Sequence, residues 1–120
     1  SPYEWIIVFS KKGKRPKVSP EIKKKSKLTT KEWQNWAINS LWEMSPAKAK
    51  SIGHPAPFPE ELPRRLIKLF SFYGDTVLDP FLGAGTTTLV AKKLGRNGIG
   101  YEINRDYVKI AKSRLKNSND

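Results

Sequence analysis

TVLDPFLGAGTTTLVAKKLGRNGIGYEIN, residues Thr76–Asn104, reads as a strand, a glycine turn, a helix, a second strand and then an acidic residue. Thr76, Val77 and Leu78 are strand formers, and Phe81-Leu82-Gly83-Ala84-Gly85 is a tight turn whose missing side chains let a ligand approach the backbone. Thr86, Thr87 and Thr88 open a helix, Leu89, Val90, Ala91 and Leu94 give it an apolar face, and Gly95 ends it. Asn97 to Tyr101 forms the second strand, with Glu102 at its carboxyl end. That is where parallel α/β sheets bind ribose.

Ser71 to Asp75 is the turn into this unit, and Glu60 onward reads as a helix with Leu62, Leu66, Leu69 and Phe70 on its apolar side. Pro59 or Pro63 is tolerated near its first turn. Before it, GHPAPFPEELP (residues 53–63) holds four prolines and begins extended or turned. After the unit, Asn104 caps a last helix running to about Leu115, with Tyr107, Val108, Ile110, Ala111 and Leu115 on one face.

The N-terminal side differs in character. Trp5-Ile6-Ile7-Val8-Phe9 is too short and too β-branched for a helix, so Ser1–Ser10 is expected as a buried strand. No strong strand pattern follows for some sixty residues, so part of a sheet is missing. Lys11 to Lys31 holds ten basic residues, one acidic residue and hardly any apolar ones, and reads as a solvated loop or a phosphate-contacting arm. Thr29-Thr30-Lys31-Glu32 reads as an N-cap and a short helix, with Trp33 and Trp36 on one face and Trp42 beyond; beside a basic arm these rings could stack on bases, but core or domain-closing contacts are expected of them.

A chain of 120 residues supports one domain with one core. With no cysteine, disulfides and thiolate metal sites are excluded, and a single His argues against a histidine-based metal site. No apolar run reaches membrane-spanning length. The 23 Lys and Arg against 11 Asp and Glu give a net charge of +12, which attracts a polyanion, nucleic acid being the commonest.

The glycine turn narrows the ligand. A P-loop needs Lys then Ser or Thr after the last glycine, but Gly85 is followed by Thr86-Thr87-Thr88. A dinucleotide site needs a third glycine where Thr88 stands, and the Asp79 carboxylate sits poorly beside a pyrophosphate. A cofactor with positive charge and no phosphate remains. S-adenosyl-L-methionine, with its sulfonium, amino group and ribose diol, suits Asp79 and Glu102.

At these residues the chain resembles the DNA amino-methyltransferases, which methylate the exocyclic nitrogen of adenine or cytosine. Val77 to Thr87 looks like their cofactor motif, and Gly98-Ile99-Gly100-Tyr101-Glu102-Ile103-Asn104 is similar to their second strand, whose acidic residue holds the ribose hydroxyls. His54-Pro55-Ala56-Pro57-Phe58-Pro59-Glu60-Glu61-Leu62 resembles the segment that precedes that motif in the β-type order and helps to wall the methionine end of the cofactor. Glu4 to Phe9 with the Lys-rich stretch after it resembles the strand leading into the target-recognition region. The resemblance implies a Rossmann-like three-layer α/β/α fold with an incomplete sheet. It divides the chain into a strand (1–10), a basic target-recognition-like region (11–52) and a cofactor-binding α/β unit (53–120).

The cofactor residues so implied are His54, Phe58, Asp79, Phe81, Gly83, Gly85, Thr86, Thr87 and Glu102. Lys11, Lys12, Lys14, Arg15, Lys17, Lys23, Lys24, Lys25 and Lys27 are the expected contacts to double-stranded DNA. A cytoplasmic, prokaryotic setting goes with the family. Yet the family's catalytic tetrapeptide, an Asp, Asn or Ser followed by Pro-Pro and an aromatic, is not in the sequence: Ser1-Pro2-Tyr3 has one proline too few. In the β-type order that motif precedes the segment with which this sequence opens. The expectation is therefore a cofactor-binding and DNA-recognition half, natural subunit or fragment, that needs a complementary methyltransferase subunit or self-association and has no catalytic residue of its own. A non-enzymatic nucleic-acid-binding module with a methyltransferase-like shell is the alternative.

Overall fold

The computed structural model describes residues 3–45 and 58–118. Its centre is the expected unit: β1 (Thr76–Asp79), α4 (Thr86–Lys93) and β2 (Asn97–Gly100), preceded by α3 (Glu61–Phe70) and followed by α5 (Arg105–Asn117). The two strands pair in parallel, Thr76 against Asn97 through Asp79 against Gly100. This register puts Asp79 at the carboxyl edge of the sheet and leaves Glu102 just beyond the same edge.

Helix α4 packs on both strands and touches both α3 and α5. The core is small: Ile67 of α3 meets Val90 and Ala91 of α4, with Val77 and Leu94 against them. Pro63 is also buried on α3, in its first turn, where its missing N–H has no helical partner to lose. Asn104 caps α5 as expected, its side chain accepting from the backbone N–H of Asp106 and Tyr107. Arg96, buried after α4, clamps the layer by donating to the Ser71 hydroxyl and carbonyl and to the Leu94 carbonyl. Burial pushes its guanidinium below the ordinary value, against the opposing charge of Asp75.

Side chains alternate between the faces of a strand, so Val77 faces the helices while Leu78 points to the other side. Leu78 is 57% exposed and its register partner Ile99 47%. The described elements thus supply a two-stranded sheet and one helical layer, two of the three layers expected, with no helix among the described residues covering the half-exposed Leu78 and Ile99.

Three sequence expectations need correction. The Ser1–Ser10 strand is not found in its described part: residues 3–10 have no strand partner and are exposed, Trp5 at 89% and Phe9 at 87%. A strand needs a neighbour to satisfy its backbone, and among the described residues only β1 and β2 pair. The Lys11–Lys31 stretch is not all loop, because Pro20–Ser26 forms helix α1. Ser19 caps it by accepting from the Ile22 N–H, proline stands in its first turn, Glu21 is at its positive end and Lys23, Lys24 and Lys25 at its negative end. Ser26 then fixes α1 to the β1 turn by accepting from the Tyr73 N–H at 2.8 Å.

The third concerns the tryptophans. Thr29 and Glu32 make the expected capping box at the start of α2 (Thr30–Glu32). The chain then continues through Trp33–Ile38 as a π turn, closed by Asn39 N–H to the Gln34 carbonyl at 3.1 Å. This wider turn separates residues three apart that an α-helix would align. Trp36 is buried, beneath Arg64, Arg65 and Lys68, while Trp33 is 53% exposed.

Glu32 also ties α2 to α3 by accepting from Lys68 at 2.5 Å. Burial works to raise its pKa, but hydrogen bonds from Lys68 and Thr29 and the Lys68 charge outweigh it and hold the carboxyl below its ordinary value. A folded-state pKa below the unfolded one means stabilisation that is complete above the ordinary value of 4.5 and drains away as pH falls through the folded value. Glu32→Gln is expected to lower the urea midpoint at neutral pH, with the gap from the parent closing below pH 4.5. A gap that stays constant across that range would mean that Glu32 does not carry the contact.

Candidate functional site

The glycine turn joins the ends of both strands. Asp79 uses both carboxylate oxygens within it: Oδ1 accepts from the Phe81 N–H at 2.9 Å and Oδ2 from the Thr87 hydroxyl at 2.7 Å. Glu102 does the same from the other side, with Oε1 accepting from the Gly83 N–H and Oε2 from the Asn104 N–H, each at 2.8 Å. The Leu82 N–H to the Tyr101 carbonyl completes the link between turn and β2. Each carboxylate oxygen retains a free lone pair for a further donor. Neither carboxylate has an ion-pair partner among the described residues.

Gly85 must be glycine twice over. Its φ is +89°, and a Cβ there would lie 2.6 Å from the Ala111 Cβ of α5. The close helix–strand approach that a third glycine gives a dinucleotide fold is achieved differently: Thr88 stays, and the glycine is on the strand. A Cβ on Gly98 would meet the Thr88 Cα at 3.0 Å.

The expected cofactor residues are only partly gathered. A groove of about 620 Å³ brings Phe58, Asp79 and Thr87 together with apolar residues of α3 and the Ile6–Phe9 segment. Gly83, Gly85 and Glu102 do not line it, although Gly83 and Glu102 are bonded to each other on the same turn, and the Phe81 ring stands out from that turn at 88% exposure. Thr86 is different: it is buried, and its hydroxyl accepts from Arg114. It braces the turn from beneath and does not line the groove. His54 lies outside the described residues.

Arg114 is a site residue with no sequence signal of its own. Its guanidinium also donates to the Ala84 carbonyl at 2.9 Å, so α5 holds the turn as well as packing on α4. Burial pushes its pKa down, against the charge of Glu60. An arginine in the last turn of an amphipathic helix gives no sign of a partner thirty residues away.

Lys11, Lys12, Lys14, Arg15, Lys17, Lys23, Lys24, Lys25 and Lys27 are all exposed. The structure does not bring them all to the carboxyl edge, since α1 is fastened to Tyr73 at the amino end of β1. Arg15 donates to the Phe70 carbonyl and stacks on Phe72, and Lys25 pairs with Glu21 and covers the Tyr73 ring.

Comparison with known proteins is consistent along the chain. A family model described as DNA methylase matches residues 1–113. Type II methyltransferase M.MjaI of Methanocaldococcus jannaschii is 44% identical over 117 residues, covering 93% of this chain and 38% of the relative. TTHA0409 of Thermus thermophilus, described as a DNA modification methylase and solved with S-adenosyl-L-methionine, superposes with a TM-score of 0.74 at 35% identity, over 95% of this chain and 48% of that one. The cytosine-N4-specific PvuII DNA methyltransferase superposes at 0.59 with 31% identity, over 68% of this chain and 33% of that one. The chain thus spans about a third to a half of the length of these proteins. With a partial Rossmann-like α/β fold, the glycine turn between two carboxylates and this match over nearly its whole length, the chain belongs to the DNA methylase family.

Proposed function

We propose that this chain is the S-adenosyl-L-methionine-binding and DNA-contacting portion of a site-specific DNA methyltransferase acting on an exocyclic amino group of adenine or cytosine. The observation that carries the reading is the pair of unneutralised carboxylates, Asp79 and Glu102, bonded to the two sides of one glycine turn at the carboxyl edge of β1 and β2. A pyrophosphate would be repelled there, whereas a cationic ligand with a ribose diol matches the acceptors that remain. Glu102 would take the ribose hydroxyls, Asp79 and Thr87 would face the polar end of the groove, and Phe58 with Phe81 would offer apolar cover. The cofactor supplies an electrophilic methyl group.

The acceptor base would be presented by a complementary half that carries the Pro-Pro tetrapeptide. This is supported by the apolar side chains left exposed: Leu78 and Ile99 on the sheet, Phe9 in the wall of the groove, and Trp5. Apolar surface of this extent calls for a partner. The relatives' greater length accords with such a half. The exposed cations of Lys11–Lys27 serve DNA.

Duplex DNA and methyl-labelled S-adenosyl-L-methionine test the reading. The chain alone is expected to transfer no label, and adding a polypeptide that carries the tetrapeptide and the remaining strands is expected to restore transfer. Robust methylation by this chain alone would contradict the need for a complementary half.

A further inference from the structure

The carboxyl edge of the sheet is assigned by its carboxylates, but the opposite end holds a second concavity of different chemistry. A cleft of about 560 Å³ lies between α1, the α1–α2 turn and the turn entering β1. Four cations, Arg15, Lys23, Lys27 and Lys68, line it together with the rings of Trp33 and Phe72, and no carboxylate is among the lining residues. It opens beside Ser71 and Phe72, which precede β1, whereas Asp79 ends that strand. The two concavities meet at Ser71 but differ in chemistry, since Asp79 lines only the first and the cations only the second.

Its cations are not equivalent. Lys68 is engaged by Glu32, and Arg15 is held by the Phe70 carbonyl with its guanidinium 5.7 Å from the centre of the Phe72 ring. Lys23 and Lys27 have no ion pair among the described residues, although both are exposed next to other cations. Trp33 is half exposed because the π turn rotates it out of the core that Trp36 enters. Exposing an indole and gathering unpaired ammonium groups beside it both cost free energy, and one kind of ligand offsets both. Nucleotides join a phosphate to a stacking face. An acidic peptide would use the cations only, and a lipid surface would need a protruding face and not a concave one.

We propose that this cleft binds a nucleotide of a single-stranded or unpaired stretch of DNA, with its phosphate on Lys23 and Lys27 and its base against Trp33. Bases inside a duplex are stacked on their neighbours and do not offer that face. The inference takes from the functional reading only that the polymer is DNA. It requires no cofactor, so it can fail or stand independently of the glycine-turn site.

The test uses the full chain and labelled oligothymidylate, followed by fluorescence anisotropy over a range of salt. Trp33→Ala is expected to weaken single-strand binding by about 5-fold or more, with a smaller effect on a matched duplex. Lys23→Gln with Lys27→Gln is expected to lower the slope of log affinity against log salt by about 0.7, the value for one phosphate of a single strand. Lys109→Gln with Lys112→Gln removes the same charge from α5 and is the control. Calorimetry with S-adenosyl-L-methionine should show cofactor affinity unchanged in every variant. Equal losses in the cleft and control variants would overturn the proposal, as would equal effects of Trp33→Ala on single strand and duplex, or loss of cofactor binding in the cleft variants. Displacement of the oligonucleotide by AMP at matching affinity would reassign the cleft to a free nucleotide and overturn the DNA assignment.

Discussion

Gly85→Ala is expected to destabilise the fold by about 2–6 kcal/mol, a sum of backbone strain at positive φ and overpacking, and to abolish cofactor binding with it. The added Cβ would fall 2.6 Å from the Ala111 Cβ and 2.9 Å from its Cα, so no side-chain rotation relieves the clash and α5 must move. Displacing α5 withdraws Arg114 from the Ala84 carbonyl and the Thr86 hydroxyl, loosening the turn that Asp79 and Glu102 hold. Gly74→Ala is the matched comparison: its φ is +87° but a Cβ there meets nothing within 4 Å. It carries the strain without the clash, about 1–2 kcal/mol. Urea denaturation of both variants separates the terms, and equal losses would show that the α5 contact is unimportant.

Glu102→Ala and Asp79→Ala are each expected to weaken S-adenosyl-L-methionine binding by about 1–3 kcal/mol, the scale of hydrogen bonds to charged groups. Part of the loss comes from the protein itself. Removing Glu102 leaves the Gly83 and Asn104 N–H groups without their acceptor, and removing Asp79 does the same to the Phe81 N–H and the Thr87 hydroxyl. Stability should therefore fall alongside affinity, by about 1 kcal/mol per lost bond, and calorimetry read beside denaturation divides the two effects. Unchanged affinity in both variants would mean that the cofactor sits elsewhere.

The central unit was legible because its signals are local. Val77-Leu78-Asp79, the two glycines of the turn and the α4 pattern of Leu89, Val90 and Ala91 each specify their own stretch, and Asn104 caps α5 by bonds to residues two and three positions on. Asp79 and Glu102 were legible for the same reason, since parallel register carries both to one edge. What escaped depends on distant partners. Ser1–Ser10 has strand composition but no described strand beside it. Arg96 and Arg114 are fixed by carbonyls and hydroxyls far along the chain. Helix α1 was hidden for another reason: Ser19-Pro20-Glu21 is an ordinary helix start, but the surrounding lysines dominate the composition. α-Helical spacing puts Trp33 and Trp36 on one face and does not anticipate a π turn. The anchoring of α1 at the amino end of β1, and with it the second cleft, is a tertiary fact that no local pattern carries.

On the reading proposed above, the glycine turn between Asp79 and Glu102 holds the methyl donor. Titration of the isotopically labelled chain with S-adenosyl-L-methionine, followed through the backbone amide resonances, tests it at residue level. The largest shifts are expected at Phe81 to Thr87 and at Glu102 to Asn104, with Lys23 to Lys27 unmoved. Saturable shifts confined to other residues, or no shifts at cofactor concentrations that saturate a full-length relative, would contradict it.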